Sequence, residues 1–254
     1  LNRVLVGFSG GVDSFFTAYL LKEEGFEVIP VYFKLLPNAD TEKVRKSEEL
    51  LNLKPIIIDL SKEFKEQVIN YFISYYKKGL TPNPCAICNR EIKLKYLFKL
   101  KEELHADFIA TGHYVQKQKL DEGRARLLRG ADANKDQSYF LYAIGGEQVA
   151  RTLFPVGGLE KPEVRKLAQE NQLPVFAKKD STGICFIGER KFRDFLERFL
   201  PAQPGEIQTL EGEVIGEHGG LMYYTFGQRQ GLGIGGLKQA GEAPWFVVDK
   251  DLER

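Results

Sequence analysis

The chain has 254 residues, enough to bury a full core and to hold one large domain plus a small one. Its 36 basic and 35 acidic side chains leave a formal net charge of +1, so any RNA-binding face must be local rather than a global field. No apolar run approaches the ~20 residues of a membrane span, no signal-peptide layout opens the chain, and three cysteines are too few for a secreted disulfide framework. A cytoplasmic protein with no membrane partner is expected, and the start at Leu1-Asn2-Arg3 suggests a trimmed beginning.

The first ~150 residues alternate strand and helix signals, the pattern of a parallel sheet wrapped by helices. Arg3-Val4-Leu5-Val6-Gly7-Phe8 is short, β-branched and bounded by glycine, which predicts a buried strand. Phe15, Phe16, Ala18, Tyr19, Leu20 and Leu21 then recur at helical spacing, with Gly25 as the stop. Strands are expected at 28–33, 55–60 and 107–113, and helices at 41–51, 62–78 and 90–104. A turn-rich stretch, Thr81-Pro82-Asn83-Pro84-Cys85, precedes the last of these helices. From Pro155 to about Leu200 the chain looks helical, interrupted by a loop over 178–188. Beyond Pro204-Gly205 the texture turns glycine-rich and strand-like, notably at 205–209 and 245–248, which predicts a small β-rich domain. The boundaries expected are 1–200 for the α/β domain and 201–254 for the β-rich one. Glycine spacings over 219–236 lack the strand–helix context of a dinucleotide site.

Between the first strand and helix lies Ser9-Gly10-Gly11-Val12-Asp13-Ser14. Glycines in such a turn let the backbone approach a ligand, and a helix N-terminus presents free N–H groups to an anion. No Gly-Lys-Ser/Thr follows, so this is not the usual P-loop. The string resembles the pyrophosphate loop of ATP pyrophosphatases, which split ATP into AMP and pyrophosphate. Asp13 is a candidate magnesium ligand, directly or through water.

All three cysteines are expected in loops. Cys85 and Cys88 form Cys-x-x-Cys just ahead of a helix, and Cys185 lies in Asp180-Ser181-Thr182-Gly183-Ile184-Cys185-Phe186-Ile187-Gly188. Arg90, Lys93, Lys178 and Lys179 are close in sequence and would stabilise thiolates. Arg90, Lys93, Lys95, Lys99 and Lys101 form a basic stretch that reads equally as a solvated helix face or as a phosphate-tracking surface.

The chain resembles the tRNA-uridine 2-sulfurtransferases of the MnmA/TrmU type, which thiolate the wobble uridine of certain tRNAs. Seven stretches carry the resemblance in order. They are the pyrophosphate loop, Thr81-Pro82-Asn83-Pro84 with Cys88-Asn89, Ala110-Thr111-Gly112-His113-Tyr114, Asn134 to Leu141, Leu153-Phe154-Pro155-Val156-Gly157, Asp180 to Arg190, and Thr225 to Gly231. The resemblance implies a PP-loop ATP pyrophosphatase fold, α/β with a parallel sheet, and a small β-rich second domain. It implies that Gly7, Phe8, Ser9, Gly10, Gly11, Val12, Asp13 and Ser14 bind the ATP phosphates, with Phe33 and Gly112 near the adenosine. Cys185 would receive sulfur as a persulfide with Cys88 as its partner. Asn83, Pro84 and Cys85 would meet the flipped base, and His113, Lys135, Asp136 and Gln137 would contact the tRNA anticodon stem-loop. Gln228-Arg229-Gln230 is a further RNA contact expected from the small domain. The chemistry is coherent: adenylating the uracil 2-oxygen creates a leaving group that a sulfur nucleophile displaces. A sulfur donor protein or inorganic sulfide must supply that sulfur.

The chain departs from this family in two ways. Many members place aspartate where Cys85 stands, so the chain offers three thiols. Three thiolates around a 4Fe–4S cluster would leave one iron open for an extra sulfide, as in related thiolation enzymes, and that version is favoured. The alternatives are the Cys88–Cys185 persulfide relay and zinc, the latter disfavoured because His105, His113 and His218 lack ligand-like spacing. Members also continue for roughly a further domain, a C-terminal barrel that the chain is expected to lack beyond Arg254. Two rival functions share these features: an amide- or amidine-forming ligase using the same adenylation, and a non-catalytic iron–sulfur RNA-binding protein.

Overall fold

The computed structural model describes residues 1–39, 41–173, 177, 183–187, 192–234 and 244–252, with the side chains of 43 and 46–48 left out. Lys178, Lys179, the flanks of the Cys185 motif (180–182 and 188–190) and Gly235-Gly236 lie outside the described residues. The chain divides into two compact units, one formed by Leu1–Val68 and Pro84–Thr182, the other by Ile69–Asn83 and Gly183–Arg254.

In the first unit, β1 (Arg3–Gly7) leads to α1 (Val12–Glu23), β2 (Glu27–Lys34), α2 (Glu42–Leu51), β3 (Ile56–Asp59) and the short α3 (Ser61–Phe64). The helical run widens to a π turn over Lys65–Ile69 and continues as α4 (Asn70–Lys77), which belongs to the second unit. Back in the first unit, α5 (Pro84–Ile87) is followed by a second widened turn (Cys88–Leu94) and α6 (Lys95–Glu103). Then come β4 (Phe108–Thr111), β5 (Val115–Lys119), β6 (Ala125–Arg129), α7 (Gly146–Arg151), β7 (Thr152–Leu153) and α8 (Lys161–Glu170).

Five strands form one parallel sheet in the order β3-β2-β1-β4-β7. A parallel sheet is covered on both faces, so its central strand must be apolar on both. β1 meets that condition. Val4 and Val6 face the cluster of α1 and α8 residues around Phe15, Phe16 and Val164, whereas Leu5 faces Val31, Leu94, Leu97 and Ile109. From β1 the chain steps outward to β2 and β3, then returns to β1's other side as β4. Strand order therefore reverses between β1 and β4, and a crevice opens at their carboxyl ends.

The elements expected in the first half are found to within a few residues. Unexpected is an antiparallel hairpin, β5 with β6, turning through Glu122 and Gly123 at φ of +60° and +71°. The cysteine expectation also needs correction. Cys85 sits inside the helical turn α5 and Cys88 opens the widened turn, because Pro84 starts the helix earlier than the turn-rich sequence suggests.

In the second unit, α4 and α9 (Phe192–Leu196) share a cluster built on Phe72, Tyr76, Ile187, Phe195, Leu196 and Met222. Phe72 meets Phe186 edge-on at 5.3 Å between ring centroids. β8 (Gly205–Gln208) pairs antiparallel with β9 (Val214–His218). The strand expected over 245–248 is not one among the described residues. Val247 alone pairs its backbone there among the described residues, donating to Gln228 O and accepting from Gly227 N.

Candidate functional site

The switch-point crevice is lined by the loop after β1 and the residues after β4. Gly10 takes φ +70°, a left-handed conformation that glycine adopts without strain. Gly11 then caps α1 in extended conformation, and no side chain bonds the free N–H groups of the first helical turn. Those groups are a ready site for an anion. The serines brace the loop instead. Ser14 Oγ accepts from Ser9 N–H at 3.1 Å and donates to Gly11 O at 3.1 Å. With its proton so used, Ser14 Oγ accepts the Ser9 hydroxyl at 3.1 Å, and Ser9 Oγ in turn accepts from Gly11 N–H at 3.4 Å.

Gly112 brings β4 against α1. A Cβ there would lie 2.8 Å from the Asp13 carbonyl carbon and 2.9 Å from Ser14 N. Of the residues expected to bind ATP, Phe8 and Val12 have side chains in the core, each residue being 3% exposed, and Phe8 packs on Phe15 at 5.8 Å. Burying those side chains holds the loop and leaves only their backbone to face a ligand. Phe33, next to last in β2, is half-buried, its ring edge-on to Tyr96 at 6.4 Å.

Asp13 is held by residues that the sequence reading passed over. Lys161 Nζ donates to both carboxylate oxygens at 2.6 and 2.8 Å, and Tyr114 Oη–H donates to Oδ1 at 2.7 Å. The Lys161 side chain is 6% exposed and that of Asp13 31%. Asp132, itself buried, accepts the Lys161 backbone N–H at 3.0 Å and so fixes the start of α8. That bond, with those from Asn134 and Lys135, holds the Asp132 carboxyl below the usual range. One signal was present. A lysine in the first turn of a helix opposes the helix dipole, so Lys161 calls for an external partner.

His113 is half-buried, its Nδ1 2.9 Å from Thr111 Oγ1. Burial, and secondarily the Lys93 charge, push its pKa down to about 3, so the ring is neutral at physiological pH. Of the loop expected to touch RNA, Lys135 is exposed. Asp136 is spent on structure, accepting from Gly130 N–H, Ser138 N–H and the Ser138 hydroxyl at 3.0, 3.2 and 2.7 Å. Gln137 Oε1 likewise accepts Tyr114 N–H at 3.0 Å.

Cys88 is buried and Cys85 half-buried. In the basic stretch, Arg90 and Lys95 pair with Glu91, and Lys99 pairs with Glu103. In the second unit, Cys185 is exposed on a turn closed by the Ile187 N–H···O=C Ile184 bond at 3.0 Å. Its neighbours Ile184 and Phe186 pack on the aromatic cluster, so the thiol is left outside. Asn83 lies in the second unit and Pro84 in the first. The second unit joins two of the sequence motifs, Thr81 Oγ1 lying 3.0 Å from Thr225 Oγ1. There Gln228 is occupied within its own turn, accepting from Thr225 N–H and donating to Gln230 O.

Cys85 and Cys88 belong to the first unit and Cys185 to the second. Among the described residues, which include all three cysteines, no three Cys, His, Asp or Glu side chains are grouped to hold a metal. The chemical settings differ accordingly, one thiol buried at a helical turn and one exposed on a loop. Asp13 does fit a hydrated magnesium ion, since it is partly exposed and, among the described residues, Oδ2 accepts only from Lys161. Among the described residues no helix is long and apolar enough to cross a membrane.

Comparison with known proteins adds a second kind of finding. Residues 2–189 match the family profile of the tRNA methyl transferase HUP domain, and residues 193–254 that of the tRNA methyl transferase PRC-barrel domain. The protein named tRNA-specific 2-thiouridylase MnmA in Pseudomonas fluorescens (strain SBW25) is 56% identical over 262 residues, spanning 99% of this chain and 70% of its own. Its namesake in Pseudomonas paraeruginosa (strain DSM 24068 / PA7) is 55% identical over 263 residues, covering 100% and 70%. The one in Proteus mirabilis (strain HI4320) is 54% identical over 262 residues, covering 99% and 71%.

Proposed function

The chain belongs to the tRNA-specific 2-thiouridylase family, and from that premise we propose that it is an ATP-dependent tRNA-uridine 2-sulfurtransferase acting on the wobble uridine of the anticodon loop. The observation that carries the ATP reading is the uncapped N-terminus of α1, set at the strand-order switch beside Gly112. Phosphates bind there to backbone N–H groups, with the serine bonds keeping the loop in shape. Asp13 would hold a magnesium ion, which would supply positive charge to the polyphosphate. Lys161 and Tyr114 fix the orientation of that carboxylate.

The uracil 2-oxygen attacks the α-phosphorus and pyrophosphate leaves. Carbon 2 then carries AMP as a leaving group, and a sulfur nucleophile displaces it. Cys185, the exposed thiol, carries that sulfur as a persulfide whose outer sulfur is passed on from the persulfide of a donor protein, leaving the donor's thiol behind. Cys88 is its partner, as the family resemblance implies: once the outer sulfur is bonded to carbon 2, the Cys88 thiolate attacks the Cys185 sulfur, the 2-thio group leaves, and the resulting disulfide is reduced by an external dithiol. No step is routed through a 4Fe–4S cluster, since nothing among the described residues groups three Cys, His, Asp or Glu side chains as a metal site. An anticodon loop lowers the cost of unstacking the target base. Asn83, Pro84 and Cys85 meet that base, and Lys135 and His113 meet the RNA around it. Asp136 and Gln137 shape the loop behind Lys135.

The test is incubation with unmodified tRNA, ATP, magnesium, a persulfide-bearing sulfur donor and a dithiol reductant, followed by nucleoside mass spectrometry and AMP quantification. The expected result is one AMP per 2-thiouridine, abolished by Cys185→Ser. Thiolation that survives Cys185→Ser would remove the carrier role. AMP release that is indifferent to all three cysteines would return the chain to the ligase reading.

A further inference from the structure

We propose that Tyr139 and Tyr142 form a stacking platform for an unpaired base of the RNA, on the turn packed against the short helix that leads into Cys88. The proposal rests on the tRNA reading and names the surface that would grip it. The two rings are 67% and 64% exposed, and their centroids lie 6.1 Å apart at 42°. Neither hydroxyl makes a hydrogen bond among the described residues, so polar bonding does not explain their placement.

The turn that carries them is pinned on both sides. Leu141, between the tyrosines, is 1% exposed and anchored in the core. The Asn89 side-chain amide donates to Phe140 O at 3.0 Å, tying the turn to the residue after Cys88. Asp136 holds Ser138 through both its backbone N–H and its hydroxyl. With inward Leu141 and outward Tyr139 and Tyr142, the rings are pre-oriented, so little ordering is lost when they are covered.

The surroundings favour a nucleobase over a protein. Asn134 and Lys135 are exposed along the same loop and Glu147 is exposed in α7 just beyond it, whereas the core of a protein interface is depleted in charge. Every base has a π-face, and aromatic side chains beside a basic residue are the common platform for single-stranded nucleic acid. Lys135, four residues from Tyr139, can meet the neighbouring phosphate.

Binding of a synthetic anticodon stem-loop to the whole chain tests the platform without requiring turnover. Replacing both tyrosines by alanine should weaken binding by about tenfold per ring, and replacing both by phenylalanine should leave it within about twofold. The slope of affinity against salt should stay as in the unaltered chain, since no phosphate contact is lost. ATP affinity should also be unchanged. Tyr142→Trp adds an emission signal above that of Trp245, which a stacked base quenches. Three results each overturn the platform alone: equal RNA affinity with and without the rings, a phenylalanine variant as weak as the alanine one, or an added indole emission that RNA leaves unquenched. An unaltered chain that binds no anticodon stem-loop overturns the platform and the tRNA reading together.

Discussion

At the scale of single residues, His113 carries a defined pH signature. Its folded pKa of about 3 lies below the value of about 6.5 for the free side chain, chiefly because burial penalises the charged ring. The unfolded chain therefore binds more protons between those two values. The stability His113 contributes is full above about pH 6.5 and is lost as pH falls toward 3, with a slope approaching 1.4 kcal/mol per pH unit. Urea unfolding of the parent and of His113→Asn at pH values of about 7.5, 5.5 and 4.5, which bracket the free-histidine value, should show the variant losing less stability on acidification. Parallel losses would mean that the ring is protonated in the folded chain. The Asp13–Lys161 bond shows the limit of reading residues from sequence. The pyrophosphate loop was legible because serine and glycine repeat between a strand and a helix. The cation that holds its aspartate lies 148 positions away, where no spacing rule reaches.

At the scale of elements, the approach of β4 to α1 depends on Gly112. A methyl group at 2.8 Å from the Asp13 backbone must push the helix N-terminus back, because neither neighbour is the end of a flexible side chain. Gly112→Ala should lower ATP affinity at least about tenfold in titration calorimetry while costing about 1–3 kcal/mol of stability. Unchanged ATP affinity would separate this crevice from the nucleotide. The parallel strands were legible from apolar runs such as Arg3 to Phe8 and Pro55 to Leu60. The hairpin β5–β6 was not, since Gln116, Lys117, Gln118 and Lys119 offer no β-branched run, and only the Glu122-Gly123 turn marks it. Cys85 and Cys88 looked like loop residues because prolines at 82 and 84 read as breakers. Pro84 instead starts the helical turn α5, where a missing N–H costs nothing.

At the scale of the whole molecule, two units divide the chemistry. The first holds the anion-binding helix terminus, the braced aspartate, Cys88 and the tyrosine turn, and the second presents the exposed Cys185. The family assignment came from seven motifs in order and was legible because each is a short contiguous string. The three-cysteine cluster was a step beyond those strings, inferred from Cys85 standing in place of the usual aspartate and from related thiolation enzymes, and among the described residues no group of three such ligands is found. In the proposed function, what unifies the remaining parts is one reaction step, transfer of AMP to the uracil 2-oxygen. Its most direct measurement uses tRNA carrying ¹⁸O at carbon 2 of the wobble uridine in a single turnover with ATP and a persulfide-bearing sulfur donor. The account predicts that the label appears in the phosphate of AMP as 2-thiouridine forms. Label released to water, with unlabelled AMP, would contradict it.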